Sequence, residues 1–211
     1  MAVRYAILVA IHYQSVLKNM ITQKEIFIIA GPNGSGKTTF AMDLIDQGLI
    51  EHYLNADEIA KELTIENSAH ANARAARCFL KRLKKASLSG ESFALETTLS
   101  GLGYLDHIKK WQESGWKVSI FYLFLSSVDV SKQRVAERVT HGGHSIPIED
   151  IERRFPKGIK NFYHKYAKLA DYAQCIYNEN QTPVAVFSII GGRVEIHDAH
   201  LFETFSEVAN D

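Results

Sequence analysis

The sequence has little that would suit a secreted, membrane-bound or polyanion-binding protein. Its only two cysteines, Cys78 and Cys175, lie far apart and form no C-x-x-C pair, which predicts buried structural thiols in a reducing compartment. The apolar run near the N-terminus, residues 6–11, is about a third of the roughly 20 residues that a membrane span needs. A lone Arg4 and no small-residue cleavage pattern argue against a signal peptide. We therefore expect a cytoplasmic protein that does not span a membrane.

The sequence also lacks net charge and low-complexity segments. Lys and Arg together number 24, as do Asp and Glu, so the formal net charge is zero. A chain without excess charge has no overall field with which to hold a nucleic-acid backbone or an anionic membrane, and we expect neither as a partner. The sequence contains no repeats, low-complexity tracts or linkers. Its 211 residues suffice for one sizeable core and are few for two domains.

Strand-like and helix-like segments alternate along the chain, which is typical of an α/β fold. Continuous apolar runs, rather than alternating ones, indicate interior strands of a parallel sheet. The predicted strands are 25–30, a short one ending at 53–57, 92–97, 118–125 and 175–178, followed by a hairpin on Gly191-Gly192. The predicted helices are 37–47, 69–89, about 129–140, and one from 148 that is kinked or broken at Pro156. The basic residues of helix 69–89 are expected on a solvated face: Arg74, Arg77, Lys81, Arg82, Lys84 and Lys85.

The segment "GPNGSGKTT" has the pattern of a phosphate-binding loop. It fits G-x-x-x-x-G-K-[ST] between a predicted strand and a predicted helix, the context that this motif requires. In such a loop the glycines let backbone N–H groups surround a phosphate, and the start of the helix adds the positive end of its dipole. The lysine reaches oxygens of the β- and γ-phosphates, and the hydroxyl of Thr38 ligates Mg²⁺. The predicted nucleotide-binding residues are Gly31, Pro32, Asn33, Gly34, Ser35, Gly36, Lys37, Thr38 and Thr39.

This motif predicts an α/β fold of the P-loop NTPase type, a three-layer sandwich with a mostly parallel central sheet and a small arginine-bearing lid. Because the phosphate loop normally follows the first core strand, residues 1–19 are predicted to be an appendage, and residues 20–211 a single kinase-like domain. ATP and Mg²⁺ are the expected cofactors. A transporter-type ATPase would use the same loop, and "TLSGLG" at 98–103 resembles its signature. The next strand, however, ends "YLFLSS" without the acidic pair that such an ATPase needs.

Two acids follow predicted strands and therefore lie at the edge of the sheet where ligands bind. Asp57 ends the second strand, where it is suited to accept a proton from an acceptor hydroxyl; the alternative is an N-cap for a helix that starts at Glu58. Glu96 ends the third strand, where it would hold Mg²⁺ through water, bind acceptor hydroxyls, or be an incidental acid.

Four arginines lie between residues 131 and 154, around the glycine- and proline-containing segment "HGGHSIP". That composition is typical of a mobile lid, and arginines beside it would stabilise charge that develops on a γ-phosphate. Arg134 and Arg138 share one helix face, whereas Arg154 lies nearer the buried face of the next helix than Arg153 does. The alternative is a set of surface salt bridges with Glu137, Glu149, Asp150 and Glu152. His141 and His144 lack a third ligand nearby and are expected to make polar contacts within the loop.

Together, "GPNGSGKTT", "NADEIA", "GESFALETTLSG" and "RVAERVTHGGHSIPIEDIERRF" resemble the zeta-toxin-like P-loop kinases, especially their compact bacterial branch. The resemblance implies an ATP-dependent kinase that phosphorylates a small hydroxyl acceptor, with UDP-N-acetylglucosamine as the leading candidate, and an antitoxin protein as a partner that covers the ATP site. By this resemblance Lys37 holds the ATP phosphates and Asp57 is the catalytic base. Glu96 and Thr98 would lie on the acceptor side, and the catalytic cations around the γ-phosphate would be Arg138 and Arg154.

The chain departs from the epsilon–zeta toxins in three ways. Its third strand ends Glu-Thr-Thr rather than Glu-Gly-Thr, its "GGHSIP" lid is that of the compact branch, and no long C-terminal extension for a sugar nucleotide is obvious. The alternatives are a nucleoside or nucleotide kinase of related fold, or a nucleotide-gated ATPase that serves as a toxin–antitoxin regulatory module.

Overall fold

A computed structural model of the chain describes residues 24–62, 69–143, 145–180 and 182–210. The predicted appendage, residues 1–19, and His144 lie outside these ranges. The strands are β1 (Glu25–Ala30), β2 (His52–Leu54), β3 (Phe93–Thr97), β4 (Lys117–Phe124), β5 (Tyr172–Tyr177), β6 (Val184–Ile190) and β7 (Arg193–Ile196). The helices are α1 (Lys37–Asp46), α2 (Ala56–Glu62), α3 (Ala69–Ser89), α4 (Tyr104–Glu113), α5 (Val128–Thr140), α6 (Ile148–Asn161), a π-helical turn (Phe162–Tyr166), α7 (Ala167–Leu169) and α8 (Ala199–Asn210).

The strands form one sheet in the order β2-β3-β1-β4-β5-β6-β7. Strands β2, β3, β1, β4 and β5 pair in parallel, whereas β6 and β7 are antiparallel. The predicted α/β fold with a mostly parallel central sheet is therefore confirmed. Because parallel strands end at the same edge, the segments that follow β1, β2 and β3 lie side by side, and these segments carry the phosphate loop and both candidate acids.

Side chains alternate between the two faces of the sheet and bury both. Ile26 and Ile28 of β1 belong to the core on one face, and Phe27 and Ile29 belong to the core on the other. Helix α1 covers the second face. The first face is covered by α3, α4, α6 and α8, which contribute Phe79, Leu83, Ile108, Trp111, Phe155, Ile159 and Phe205. Helices on both faces make a three-layer sandwich.

The sequence predicts a kink or a break at Pro156, and of these two the break does not occur in helix α6. It continues to Asn161 and leads into the π-helical turn. A proline removes one intrahelical hydrogen bond, but Ile151, Phe155 and Ile159 are buried against the core on either side of it, and this packing holds the helix together.

Helices α4, α7 and α8 were not anticipated, and β5 begins at Tyr172 rather than at residue 175. The sequence does contain a pattern that indicates helix α4, because Ile108 and Trp111 lie three positions apart and form one buried face. The hairpin prediction is confirmed, since Gly191 and Gly192 join β6 to β7 with φ of 55° and 80°.

The burial of one of the two thiols and the exposure of the basic residues of α3 are as predicted. Cys175 is buried and Cys78 only partly so, and neither forms a disulfide. Burial raises the pKa of the Cys175 thiol. The six basic residues of α3 are exposed as expected. Among the described residues, no helix is both long and apolar enough to cross a bilayer.

Candidate nucleotide-binding site

The loop between β1 and α1 needs glycine at two positions. Gly31 has φ of 142°, and a Cβ there would lie 2.4 Å from the carbonyl oxygen of Leu123 on β4. Gly34 has φ of 76°, and its Cβ would lie 3.0 Å from the Cβ of Arg134. Both the backbone conformation and the close approach exclude a side chain, so the sequence of the loop follows from its geometry.

Side chains from two other segments hold this loop in place. The hydroxyl of Ser131 on α5 donates to the carbonyl of Asn33 at 2.6 Å, and the amide of Asn178, directly after β5, donates to the carbonyl of Ser35 at 2.7 Å. Arg134 on α5 donates to the carbonyls of residues 178 and 179 at 2.6 and 2.8 Å. The loop is therefore preorganised. Sequence reasoning missed Ser131 and Asn178 because no motif marks them.

Helix α1 starts with its first N–H groups directed at the loop. Its N-cap, Gly36, is left-handed with φ of 89° and makes no side-chain capping bond. The N–H groups of Lys37, Thr38 and Thr39 have no intrahelical acceptor, because each lies in the first turn. These donors, together with the positive end of the helix dipole, form a site for an anion. The buried Lys37 lies in the same turn, and its Nζ donates to the carbonyl of Pro32 at 2.8 Å.

Glu96 connects the end of β3 to this helix start. Its Oε2 accepts hydrogen bonds from the hydroxyl of Thr38 at 2.9 Å and from the amide of Asn55 at 3.1 Å, and it also accepts one from the phenol of Tyr53. Its Oε1 lies 3.9 Å from the Nζ of Lys37. Burial and the adjacent Glu96 carboxylate raise the pKa of Tyr53, which keeps the phenol a donor.

Thr38 and Glu96 have the chemistry of a magnesium site. A hydroxyl and a carboxylate, 2.9 Å apart beside a helix start with unpaired N–H donors, are the hard oxygen ligands that Mg²⁺ prefers. A P-loop protein uses the same pair of groups, a loop Ser or Thr and an acid from a neighbouring strand. The described residues therefore fit the ion.

An open cavity of about 420 Å³ lies over the loop. It is lined by Gly34, Gly36, Lys37, Thr38, Thr39, Glu96, Arg134, Glu137, Arg138 and His141. The predicted lysine, threonines and glutamate thus face one space, together with two of the four arginines around the predicted lid, Arg134 and Arg138. His141 makes the polar contact expected of it, with its Nδ1 2.8 Å from the carbonyl of Glu137.

The glycines after Arg138 end helix α5. Gly142 has φ of 80° and its N–H donates to the carbonyl of Val139 at 3.0 Å, while the N–H of Gly143 donates to the carbonyl of Arg138 at 2.9 Å. This is the Schellman arrangement of a helix end. A Cβ on Gly143 would lie 2.4 Å from the Cγ of Arg138, so this glycine packs against the arginine that lines the cavity.

The remaining predicted site residues are Asp57, Thr98 and Arg154. Helix α2 begins at Ala56, so Asp57 is its second residue and not its N-cap; Asn55 occupies the capping position, and the proposed cap at Asp57 is wrong. The side chain of Asp57 lies outside the described part of the structure. Thr98 lines a second cavity, beyond the end of β3. Arg154 donates to Asp150 at 3.0 Å, within the set of salt bridges that the sequence offered as an alternative.

Fold and site together define a nucleotide-binding, P-loop kinase-like protein. The model of a family described as an AAA domain matches residues 26–155, more than half of the chain, and the chain belongs to this family. An uncharacterized protein of Haemophilus influenzae is 28% identical over 138 residues, which are 65% of this chain and 97% of that protein.

Solved structures share the fold at low identity. A chain of the AvrRxo1-ORF1:AvrRxo1-ORF2 complex with sulphate ions superposes with a TM-score of 0.69 and 20% identity, over 91% of this chain and 66% of that one. The corresponding complex with ATP gives 0.68 and 19%. The PezAT chromosomal toxin-antitoxin system of Streptococcus pneumoniae gives 0.56 and 12%, over 94% and 93%. This chain thus covers slightly less than two thirds of the AvrRxo1 chain, and at such identities the likeness extends to the fold alone.

Proposed function

We propose that the protein is an ATP·Mg²⁺-dependent phosphotransferase that acts on a small hydroxyl acceptor, of the zeta-toxin-like type. The observation that supports this best is the single cavity in which the start of α1, Lys37, the Thr38–Glu96 pair and Arg138 meet. This set combines donors for phosphate, oxygen ligands for a divalent cation and a second cation opposite the loop.

Each group has a part in the transfer. The backbone N–H groups of the loop and Lys37 hold the β- and γ-phosphates, and Thr38 and Glu96 hold Mg²⁺, which when bound neutralises charge on these phosphates. The acceptor oxygen forms a bond to the γ-phosphorus while the bond from that phosphorus to the β–γ bridging oxygen breaks, and ADP leaves with the electron pair. In the proposal Asp57 takes the acceptor proton. Arg138 and Arg154 stabilise the charge on the phosphoryl oxygens as it is transferred.

The resemblance supplies the first acceptor to test, UDP-N-acetylglucosamine, and a protein partner. The likeness to a chain of the PezAT toxin-antitoxin system agrees with a partner of the antitoxin kind but supports only the fold. A nucleotide-gated ATPase that regulates such a system is the alternative, and it differs in one measurable respect. A kinase releases ADP faster when its acceptor is present, whereas a switch hydrolyses ATP at a rate that no acceptor changes.

The test is ATP turnover in the presence of pools of hydroxyl compounds, beginning with UDP-N-acetylglucosamine, with the product identified by mass. We expect ADP release to rise with one pool and a singly phosphorylated acceptor to appear. Lys37→Ala is the control: it should abolish this turnover while the variant stays folded by circular dichroism, because the lysine serves the ligand. Hydrolysis unaffected by every pool, or substantial activity in folded Lys37→Ala, would contradict the proposal.

A further inference from the structure

The central sheet ends at strand β7, whose outer edge is open. β7 is last in the strand order and pairs with β6, and no other strand of the described ranges pairs with it. All four of its residues are exposed, and its two apolar side chains, Val194 and Ile196, keep 47% and 50% of their surface accessible. An exposed edge strand with apolar side chains is a template on which a further strand can pair.

The register of the hairpin decides which backbone groups of β7 face outward. Ile190 and Arg193 flank the two-residue turn and lie opposite each other. The residues that flank such a turn form a hydrogen-bonded pair, and these pairs alternate with non-hydrogen-bonded ones along an antiparallel ladder. Arg193 and Glu195 therefore bond to β6. The N–H and C=O groups of Val194 and Ile196 point away from β6, in the direction of a further strand.

The side chains of β7 divide between the two faces of the sheet. Val194 lies opposite Ile189, a core residue of β6, so Val194 and Ile196 are on the face that α8 covers. Arg193 and Glu195 are on the other face. The strand thus carries two apolar side chains on one face, and a cation and an anion on the other.

We propose that β7 pairs with β7 of a second copy of this chain, antiparallel about a two-fold axis at Val194, so that the two sheets become one. In this register Val194 lies opposite Val194 of the second copy, and the two residues exchange both N–H···O=C bonds because these groups point outward. Arg193 of each copy then lies opposite Glu195 of the other. Directly opposed side chains of opposite charge stabilise a strand pair.

The charges of β7 also oppose the neighbouring register. Because outward-pointing backbone groups must meet, one strand can shift along the other only in steps of two residues. A shift that places Val194 opposite Ile196 of the second copy would bring the two Glu195 carboxylates face to face, and opposed like charges are destabilising. The edge is therefore complementary to itself in one register, which makes a second copy the partner that it fits. A net charge of zero also leaves no overall repulsion between two copies.

Pairing at this edge would leave both nucleotide-binding sites open. Three strands, β4, β5 and β6, lie between β7 and the strand β1 that leads into the phosphate loop. A two-fold axis that pairs antiparallel strands turns the second sheet end for end, so the two phosphate loops lie at opposite edges of the joined sheet. The dimer therefore needs no change in either site.

The experiment measures the mass of the full chain in solution, by sedimentation velocity and light scattering, at about 1–200 µM protein. Arg193→Glu places two glutamates opposite each other, and its control, Lys110→Glu, makes the same change of net charge at an exposed position of α4. The double variant Arg193→Glu, Glu195→Arg restores opposite charges in the proposed register and keeps the net charge at zero. Val194→Pro removes the N–H that bonds to the second copy, whereas Val194→Thr keeps this N–H and the β-branched shape. Circular dichroism checks that each variant stays folded.

We expect the wild type to be a dimer at the highest concentration and to dissociate on dilution, because an interface on so short a strand is small. Arg193→Glu and Val194→Pro should weaken dimerisation at least about tenfold, whereas Lys110→Glu, Val194→Thr and the double variant should stay within about threefold of the wild type. A monomer at every concentration would overturn the inference, and if removal of residues 1–19 then allowed dimers, that segment would be the occupant of the edge. A dimer that ignores Arg193→Glu and Val194→Pro, or a double variant as weak as Arg193→Glu, would overturn the proposed contact or its register. None of these measurements depends on ATP turnover, so their outcome is independent of the proposed function.

Discussion

Replacement of Glu96 by glutamine tests the centre of the site most directly. The substitution keeps the shape of the side chain and removes its charge. In the wild type one carboxylate oxygen accepts hydrogen bonds from Thr38, Tyr53 and Asn55, and the other oxygen lies 3.9 Å from the Nζ of Lys37. A glutamine can keep its amide oxygen on the three donors, but its NH₂ group then faces the lysine.

The magnitude follows from these contacts. A hydrogen bond to a charged acceptor contributes about 1.5–3 kcal/mol and one to a neutral acceptor about 0.5–1.5 kcal/mol, so each weakened bond costs about 1–1.5 kcal/mol and three cost about 3–4.5 kcal/mol. Removal of a partly buried charge recovers part of that loss, because a neutral amide is less costly to desolvate. We expect Glu96→Gln to lower the free energy of unfolding by about 1–3 kcal/mol. As a cation ligand, Glu96 should matter more for activity, with apparent Mg²⁺ affinity reduced at least about 10- to 100-fold.

The assay is urea denaturation together with ADP release as a function of Mg²⁺ concentration. Tyr53→Phe is the matched control, since it removes one donor to the same oxygen but leaves the carboxylate. It should lower the free energy of unfolding by about 1 kcal/mol and leave the Mg²⁺ dependence much closer to wild type. If Glu96→Gln shows the wild-type Mg²⁺ dependence, Glu96 is not a cation ligand and its hydrogen bonds are purely structural.

Three further predictions concern individual residues. Arg138→Ala should slow phosphoryl transfer by up to about 10³-fold with far less effect on ATP binding, whereas Arg153→Ala, on the exposed side of α6, should leave the transfer rate unchanged. Arg154→Ala tests whether the ion pair with Asp150 opens so that this arginine can act on the phosphoryl group. Wild-type rates for both Arg138→Ala and Arg154→Ala would show that these arginines are surface salt-bridge partners. Asp57→Asn should reduce acceptor-dependent transfer by about 10²- to 10⁴-fold while the melting temperature of the variant stays close to that of the wild type. Full activity in this variant would show that another residue is the catalytic base. Partial burial raises the pKa of Asp171, but hydrogen bonds from Gln112, the N–H of Val118 and Lys117 outweigh it and hold this pKa below its ordinary 3.8. The ionised carboxylate therefore stabilises the fold above about pH 4, and this stabilisation is lost as the pH falls. Asp171→Asn should lower the free energy of unfolding by about 1–2 kcal/mol at pH 7 and by progressively less in acid, as measured by urea denaturation across pH.

The parts of the fold that the sequence predicts are those with a local cause. The phosphate loop has its glycines because Gly31 and Gly34 adopt φ values that other residues avoid, and the continuous apolar runs of β1 and β4 follow from burial on both faces. Such causes act within a few residues and leave a pattern in the chain.

The parts that escaped prediction depend on distant partners. Ser131 and Asn178 lie 98 and 143 residues from the loop atoms that they bind, and nothing in their own surroundings distinguishes them from other polar residues. The continuity of α6 through Pro156 has the same origin, because the core on both sides of the proline supplies the stability. The catalytic assignments of Asp57, Arg138 and Arg154 remain predictions, since they concern a ligand-bound state.

The two cavities differ in how tightly their walls are determined, and this difference bears on specificity. On the nucleotide side, a Cβ at Gly31 would lie 2.4 Å from a neighbouring backbone atom, so the chain cannot change there without losing the loop. On the other side of β3, Cβ atoms at Gly101 and Gly103 would meet nothing within 4 Å, although the loop itself is anchored by Asn161 and Tyr166. Side chains in the second cavity can therefore vary in size and charge on a fixed backbone while the phosphate site stays intact. It follows that the fold constrains the phosphate loop closely, whereas it leaves the side chains that line the second cavity free to differ in size and charge.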